Sequence, residues 1–327
     1  MIGIDCAIEH WALIEPFEIA GQVLHTQGVV HVTLRDGAGH AGHGEAAGID
    51  YDGETPESMQ AQVEAVAERV AARPDRAALA DWLPHGGARN ALDCALWDLA
   101  AKQRGVPAWR SAGLDGWQPL VTAYTIGLCD EDELRRRARA MREWPLLKLK
   151  ADAERHLDIV RLVREECPTA RLLVDANQAW TRGQLDTLAP ALAALGVELI
   201  EQPLTRGAEH ELAGYRGPVP LAADESCMDR RSLPALVGRY QCVNIKLDKT
   251  GGLSEALALA HEARRLGFKL MVGNMCGSSL AMAPAFLVAQ ACDWVDLDGP
   301  MLQREDRAAP MRYADGLVHP PAPALWG

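Results

Sequence analysis

Six positions in this 327-residue chain combine reactive side chains with a regular spacing. Lys148 and Lys150 are followed by Asp175, Glu201, Asp224 and Lys246, so that from Lys150 onward one ionisable group recurs after 25, 26, 23 and 22 residues. A single acid in such a place reads as a helix cap or a solvated charge; a succession of them, each in or just after an apolar run, reads as one site. Three carboxylates brought together repel one another unless a cation joins them. Oxygen ligands with no nearby His or Cys select a hard ion, Mg²⁺ first and Mn²⁺ second. A zinc hydrolase would want His-x-His near its first strand, and the chain contains none.

Lysine is scarce here, six against 27 Arg, and four of the six are Lys148, Lys150, Lys246 and Lys249. Where only charge is needed the chain uses Arg; at these places it uses the cation that can lose its proton. Lys148 and Lys150 stand two apart on one strand and face the same side. Mutual repulsion and a nearby metal are expected to lower their pKa values toward neutrality and make one a base. Lys249 rivals Lys246, but Lys246 lies inside the apolar run. Asp296 and Asp298, again two apart, are expected to bind a cationic end of a substrate whose anionic end lies on the metal.

These residues need elements to position them. Eight apolar runs of strand length recur from about residue 120: Leu120–Leu128, Leu146–Lys150, Arg171–Asn177, Val197–Leu204, Val219–Ser226, Cys242–Lys249, Lys269–Met275 and Trp294–Pro300. Continuous apolar runs suit strands buried on both faces. Helical stretches separate them, one carrying a stripe of Leu253, Leu257, Ala260, Ala263 and Leu266 that Gly267 ends. Eight strands alternating with helices predict an α/β fold of the (β/α) TIM-type barrel class, whose functional groups come from the C-terminal strand ends. Strands three to five are then neighbours, strands two and six face each other, and strand eight lies opposite strand four.

The first 115 residues read differently, as strand, glycine turn and strand, then a helix from Thr55-Pro56 that buries Met59, Val63, Val66 and Val70, then a helix burying Leu92, Leu96 and Leu99. An N-terminal α+β domain therefore precedes the barrel, with a boundary near Gly113 to Pro119. Gly37-x-Gly39-x-x-Gly42 matches a dinucleotide fingerprint, but no helix opens inside it, so a β-turn is the reading.

The formal net charge of −12 and the pI near 5.3 argue against a nucleic-acid partner or an anionic membrane surface. The low-charge stretches fall short of a bilayer span, the start has no signal-peptide pattern, and the eight Cys are scattered without Cys-x-x-Cys. The expectation is a cytoplasmic protein with reduced thiols.

Taken together, Lys148-Leu-Lys150, Asp175-Ala-Asn177, Glu201-Gln-Pro203, Asp224-Glu-Ser226 and Asn244-Ile-Lys246-Leu-Asp-Lys-Thr-Gly-Gly252 resemble the motifs of the enolase superfamily, muconate-lactonizing subgroup. Asp296-Leu-Asp298-Gly-Pro is similar to the Asp-x-Asp motif of its dipeptide epimerases, of the L-Ala-D/L-Glu epimerase type. The resemblance covers nearly the whole chain. It implies a modified (β/α)₇β barrel at 116–300, an N-terminal capping domain at 1–115, and a segment at 301–327 that packs back on the cap. It implies Mg²⁺ on Asp175, Glu201 and Asp224, with Lys150 and Lys246 as the two bases of a 1,1-proton transfer through an enolate. Lys148 would stabilise that enolate, Thr125 and Asn274 would contact the dipeptide, and a homo-oligomer is possible. Sibling chemistries remain the alternative: N-acylamino acid racemase, o-succinylbenzoate synthase or cycloisomerase, none needing a partner for a free ammonium.

The side chain of the substrate is a separate question. Relatives that select glutamate are expected to place a basic residue on the first capping loop, where Pro16–Gln22 here puts Gly21. Across residues 1–68 the only Lys or Arg is Arg35, while Glu15, Glu18, Asp50, Asp52 and Glu54 flank the two capping loops. Without a guanidinium fork, neutral or cationic dipeptides are expected to beat L-Ala-L-Glu.

Overall fold

The apolar runs become strands because both faces of each are covered. The structure, a computed structural model, describes residues 2–19, 22–151 and 154–327. Strands β1 (Gly3–Ile19), β2 (Gln22–Arg35) and β3 (Ala41–Ala46) form an antiparallel sheet in that order. Helix α1 (Pro56–Ala72) starts at an N-cap where Thr55 and Ser58 each bond the other's backbone, with Pro56 at its first position. Its predicted face, Met59, Val63, Val66 and Val70, packs with Val30, Val32 and Leu34 of β2 and with Leu92, Ala95 and Leu99 of the helix Gly87–Arg104. Burying each such side chain contributes about 1.5–3 kcal/mol.

The glycine run has a packing reason. A Cβ at Gly42 would lie 2.3 Å from the Ala95 carbonyl, and one at Gly44 would lie 2.0 Å from that of Ala91. The glycines let β3 press directly on the helix, and the segment continues as a strand rather than a phosphate-binding helix start.

The second sheet is parallel and eight-stranded: β5 (Tyr124–Ile126), β6 (Leu146–Lys150), β7 (Arg171–Asp175), β8 (Val197–Glu201), β9 (Leu221–Ala223), β10 (Cys242–Ile245), β11 (Lys269–Val272) and β12 (Trp294–Val295), each paired with the next. It curls until its edges meet, the Ala123 amide donating to the Val295 carbonyl at 2.8 Å. Seven connections join the eight strands; after β8 and β9 the helices shrink to single turns, and nothing longer than a 3-10 turn follows β12. This is the barrel with an N-terminal cap that the sequence predicts.

Only Leu146–Lys150 is a strand over its whole run; the other seven are shorter as strands than they read, and two of them also change course. Leu120–Leu128 divides: Leu120–Val121 is a separate strand, β4, pairing with the hairpin of β13 (Tyr313–Ala314) and β14 (Leu317–Val318), and only Tyr124–Ile126 joins the barrel. Trp294–Pro300 leaves the sheet after Val295, where a 3-10 turn opens at Gly299. The stripe on the helix Leu253–Arg265 also rotates, burying Ala256 and Leu259 while Leu257 is only partly covered.

Period-two alternation builds the barrel interior in layers. Ala123, Leu146, Leu173, Leu199, Ala222, Cys242, Met271 and Trp294 form an apolar floor with one residue from each strand region. Two residues further along stand Thr125, Lys148, Asp175, Glu201, Asp224, Asn244, Gly273 and Asp296, a polar layer on the same inner faces. The cap closes over this end. Arg89 donates to the carbonyls of Thr250 and Gly251, the Asp248 carboxylate accepts from Gly48 N–H, and Arg307 bridges Glu9 and Glu45 at 2.6 and 2.5 Å. The last residues reach the helix Gly87–Arg104, where Trp326 Nε1 donates to Cys94 O and Gly327 N to Asp98 Oδ1. Among the described residues no helix is long and apolar enough to cross a membrane, and all eight cysteines are free thiols.

Candidate active site

The polar layer opens into a cavity of about 280 Å³ between the barrel mouth and the cap. Thr125, Lys148, Lys150, Asp224, Lys246, Asn274, Asp296 and Asp298 line it from the barrel; Leu24, Thr26, Gln27, Asp50, Tyr51 and Glu54 line it from the cap. Asp175 and Glu201 lie beneath, both essentially inaccessible. The residues singled out from the sequence as bases, metal ligands and substrate contacts thus gather at one end of the barrel.

The three carboxylates stand at the ends of adjacent strands, but they do not close on one empty point. Lys148 Nζ occupies the middle, 3.1 Å from Asp175 Oδ2, 2.8 Å from Glu201 Oε2 and 2.9 Å from Asp296 Oδ2. Lys150 Nζ donates to Asp175 Oδ2 at 2.7 Å and to Asn177 Oδ1 at 2.9 Å, and Lys246 Nζ donates to Asp224 Oδ2 at 2.7 Å. Among the described residues no three His, Cys, Asp or Glu form a ready metal cage. The chain's own ammonium groups stand as counter-ions to these carboxylates.

The expected lowering of the lysine pKa values is reversed at Lys148. Burial does disfavour the charged form of Lys148, but Asp296, Glu201 and Asp175 outweigh it and hold the ammonium well above its ordinary range. Lys246 is raised likewise, burial being overcome chiefly by Asp224. The spacing argument counted the neighbouring lysine and the metal and missed the carboxylates that reach the same nitrogens.

The acids divide in response. Burial raises the Asp175 carboxyl, but Lys150 and Lys148 more than offset it and hold it at about 2; Asp224 lies lower still, under Lys246, Lys249 and Lys148. Glu201 goes the other way, pushed by burial and by Asp175 up to about 8. Glu225, buried beside Asp224 and Asp175, is pushed to about 7. The site carries more negative charge than its lysines compensate: Asp175, Glu201, Asp224, Glu225, Asp296 and Asp298 against Lys148, Lys150, Lys246 and Lys249 leave a formal excess of two. Glu225 Oε2 and Asn244 Oδ1 are buried without a hydrogen-bond partner, and Glu201 Oε2 has only its ion pair with Lys148. An all-oxygen donor set with buried unpaired acceptors and a formal excess of two carboxylates, felt as the raised Glu201 and Glu225, fits a hard divalent cation.

Lys249 is settled by geometry. It is fully buried, absent from the cavity wall, and its three protons go to Asp224 Oδ1 and Asp224 O, each at 2.5 Å, and Asn244 O at 3.0 Å. It has nothing left with which to reach a substrate, whereas Lys246 lines the cavity.

Asp296 and Asp298 face the cavity but are already engaged. Asp296 is paired with Lys148 and accepts from Thr125 Oγ1; Asp298 accepts the Thr125 amide at 2.6 Å and Asn274 Nδ2 at 3.3 Å. Burial and Asp296 push Asp298 up to about 7. The cap acids are also committed. Glu15 pairs with Arg136 and Arg137, Asp52 with Arg206, and Glu54 accepts from the amides of Ile49 and Gly87. Gly21 and the Glu18 side chain lie outside the described residues.

Several site residues escaped the sequence reading. Asn244 donates to Glu201 Oε1 at 2.6 Å, and a Cβ on Gly273 would come within 2.8 Å of Asn244 and 3.1 Å of Lys246, so the glycine makes room for both. The available signal was register: Asn244 sits two before Lys246, on the same inner face. Glu225 and Tyr51 carried no such signal.

The comparisons with known proteins agree with this geometry. Residues 1–113 match the mandelate racemase / muconate lactonizing enzyme N-terminal domain, and residues 132–324 match the enolase C-terminal domain-like family. An N-acetyl-D-glutamate racemase of Pseudoalteromonas is 45% identical over 249 residues, 76% of this chain and 79% of that one. The L-Ala-D/L-Glu epimerase of Escherichia coli K12 is 39% identical over 313 residues, covering 95% and 97%. Among solved structures, an enolase family member from Agrobacterium tumefaciens with homology to dipeptide epimerases, bound to sodium and L-Ala-L-Glu, superposes over the full length of both chains with a TM-score of 0.95 at 44% identity. A dipeptide epimerase from Methylococcus capsulatus, complexed with Mg and L-Arg-D-Lys, gives 0.89 at 31% identity, covering 97% and 96%.

Proposed function

The chain belongs to the enolase superfamily, in its mandelate racemase / muconate lactonizing enzyme branch, and from that premise we propose that it inverts the α-carbon of the C-terminal residue of a dipeptide by two-base proton transfer. The observation that carries the reading is the pair Lys150 and Lys246, buried, cavity-lining, and at the ends of strands β6 and β10, four apart in a ring of eight. Two amines on opposite walls can address opposite faces of one α-carbon. One accepts the α-proton as a neutral amine while the other, as an ammonium, returns a proton to the opposite face.

Asp175, Glu201 and Asp224 would hold Mg²⁺, with Mn²⁺ as a substitute; the ion, when bound, offsets the negative charge that grows on the substrate carboxylate. Lys148 is suited to the same charge from the protein side. Asp175, Glu201 and Asp296 hold its ammonium between them, and from there it would donate a hydrogen bond to the enolate oxygen. Asp175 is shared between Lys148 and Lys150, and Asp224 between Lys246 and Lys249. Each base therefore leans on a carboxylate that a second ammonium already partly neutralises.

A second reading keeps this chemistry and changes the substrate to an N-acylamino acid. It is favoured by the likeness to an N-acetyl-D-glutamate racemase and by the engagement of Asp296 and Asp298 with Lys148, Thr125 and Asn274, which leaves a free ammonium less to bind. The side-chain preference also changes. Of the acids thought to repel glutamate, Glu15, Asp52 and Glu54 are engaged with arginines or backbone amides, and relatives named for glutamate support an acidic inverted residue. The test is a panel of L-Ala-L-Glu, L-Ala-L-Leu, L-Ala-L-Lys and N-acetylglutamate with Mg²⁺ in D₂O, read as α-deuterium uptake by mass spectrometry. Uptake on any member supports proton transfer at the α-carbon and ranks the substrates; no uptake on any of them refutes it.

A further inference from the structure

Gln202 lies between two residues the site needs and touches neither the cavity nor a substrate. Its backbone is left-handed, at φ +36°, a conformation that costs a non-glycine residue energy and persists only where its surroundings impose it. The side chain is fully buried and turned away from the cavity wall. Its Oε1 accepts the amides of Asp224 at 2.9 Å and Ser226 at 3.2 Å. Its Nε2 donates to Leu204 O and Ser226 Oγ, each at 2.8 Å, and stands 3.2 Å from the Tyr240 hydroxyl. Its own amide donates to Ala222 O at 2.8 Å, and its carbonyl accepts from Gln178 N–H at 2.8 Å.

These bonds tie the end of β8, where Glu201 sits, to the end of β9, where Asp224 follows. The β8–β9 ladder is short here, with only Ile200–Leu221 and Glu201–Ala222 in register, so regular strand pairing stops before Asp224. Beyond that point the Gln202 amide takes over the work of the ladder. Lys249 grips the Asp224 carboxylate from behind and bonds the carbonyl of Asn244, whose side chain reaches Glu201 Oε1, but that link runs around through β10, whereas Gln202 joins β8 to β9 directly.

We infer that Gln202 is a positioning residue that sets the separation and orientation of the Glu201 and Asp224 carboxylates, and through them the affinity for the divalent cation. The inference rests on the metal role proposed above for these two acids. Replacing a group that orients metal-binding carboxylates costs about 10–100-fold in metal affinity or activity.

The test uses Gln202→Gly and Gln202→Met in the full-length protein. Glycine accepts the left-handed backbone without strain, so Gln202→Gly removes the hydrogen bonds and keeps the chain path. Thermal unfolding establishes that each variant is folded. Mg²⁺ affinity is then measured by calorimetry without substrate, and kcat and KM on the best substrate of the panel. The expected result is Mg²⁺ binding weakened about tenfold or more, with kcat lowered similarly in both directions of inversion and KM for substrate at saturating Mg²⁺ little changed. Gln202→Gly that folds, binds Mg²⁺ and turns over like the parent overturns the inference and leaves the functional reading intact. A parent protein inert on the whole panel, with Mg²⁺ binding still lost in the variants, sinks the functional reading and leaves the positioning role standing. Should Gln202→Met fail to fold, Gln202→Gly alone decides.

Discussion

Replacing each central lysine by methionine separates the two faces of the reaction. Methionine keeps the length and apolar stem of the side chain and removes the ammonium. In Lys150→Met, Asp175 loses a partner at 2.7 Å but keeps Lys148 at 3.1 Å; in Lys246→Met, Asp224 loses one at 2.7 Å but keeps Lys249 at 2.5 Å. Leaving a buried charge with no partner costs about 3–5 kcal/mol, so with one ammonium remaining the loss is smaller and both variants fold. The catalytic loss is larger. A positioned acid or base contributes about 10²–10⁴ in rate, which at about 1.4 kcal/mol per decade is roughly 3–5 kcal/mol of barrier. Inversion needs one lysine to take the proton and the other to return one, so either substitution lowers inversion by that factor in both directions. Exchange needs only one. Lys150→Met therefore still exchanges the α-proton of the stereoisomer that presents its hydrogen to Lys246, and Lys246→Met that of its epimer. Both stereoisomers are incubated with each variant in D₂O, and deuterium uptake is followed by mass spectrometry alongside inversion by chiral chromatography. Complementary exchange is expected. If both variants exchange the same stereoisomer, or either retains a tenth of parental inversion, the two-face arrangement is wrong.

Chelation is expected to abolish inversion and Mg²⁺ to restore it, while Asp175→Asn, Glu201→Gln and Asp224→Asn each lower kcat about 10²-fold or more by leaving enolate charge unbalanced; full turnover by metal-free protein would show the reading to be mistaken. Asp298→Asn separates the two substrate classes: KM for a dipeptide with a free ammonium is expected to rise about tenfold, while N-acetylglutamate, which has no ammonium, changes less than about twofold. Equal effects on both would remove Asp298 from ammonium recognition. Asp248 tests the junction of cap and barrel. Burial pushes its carboxyl up to about 7 from an ordinary 3.8, although it accepts Gly48 N–H at 2.8 Å. The folded state thus holds this proton through a window in which the unfolded state has released it, so the contribution of Asp248 to stability falls as pH rises from about 4 to 7. Asp248→Asn does not titrate and keeps an acceptor for Gly48, so its Tm relative to the parent should climb between pH 5 and pH 8, by the equivalent of about 2 kcal/mol. A difference that is flat or declining contradicts the burial argument.

Much of the molecule was legible because the information was local. Thr55, Pro56 and Ser58 announce the start of α1 through bonds made within one turn, and Met59, Val63, Val66 and Val70 declare its buried face by period. Strand runs with a charged residue at one end, repeating once per βα unit, are local patterns too, and barrel topology converts them into one site without further instruction: Lys148, Asp175, Glu201, Asp224 and Asp296 each stand two residues past a floor residue. What the sequence could not declare is who partners whom across the ring. Lys148 and Asp296 are 148 residues apart and meet at 2.9 Å, which reverses the expected direction of the lysine pKa. Glu15 looked like an acid aimed at a substrate until Arg136 and Arg137, more than a hundred residues on, took it up. Leu120–Leu128 read as one strand because nothing near it in the chain reveals that Leu317 and Val318 claim its first two residues. Gln202 sat inside a recognised motif with no visible task, since most of its partners are backbone amides and carbonyls, which every sequence contains and none displays. Hydrophobic period and capping are written in residue type; electrostatic sign and hydrogen-bond ownership depend on distances of about 3 Å between distant segments, and only the closed barrel fixes those.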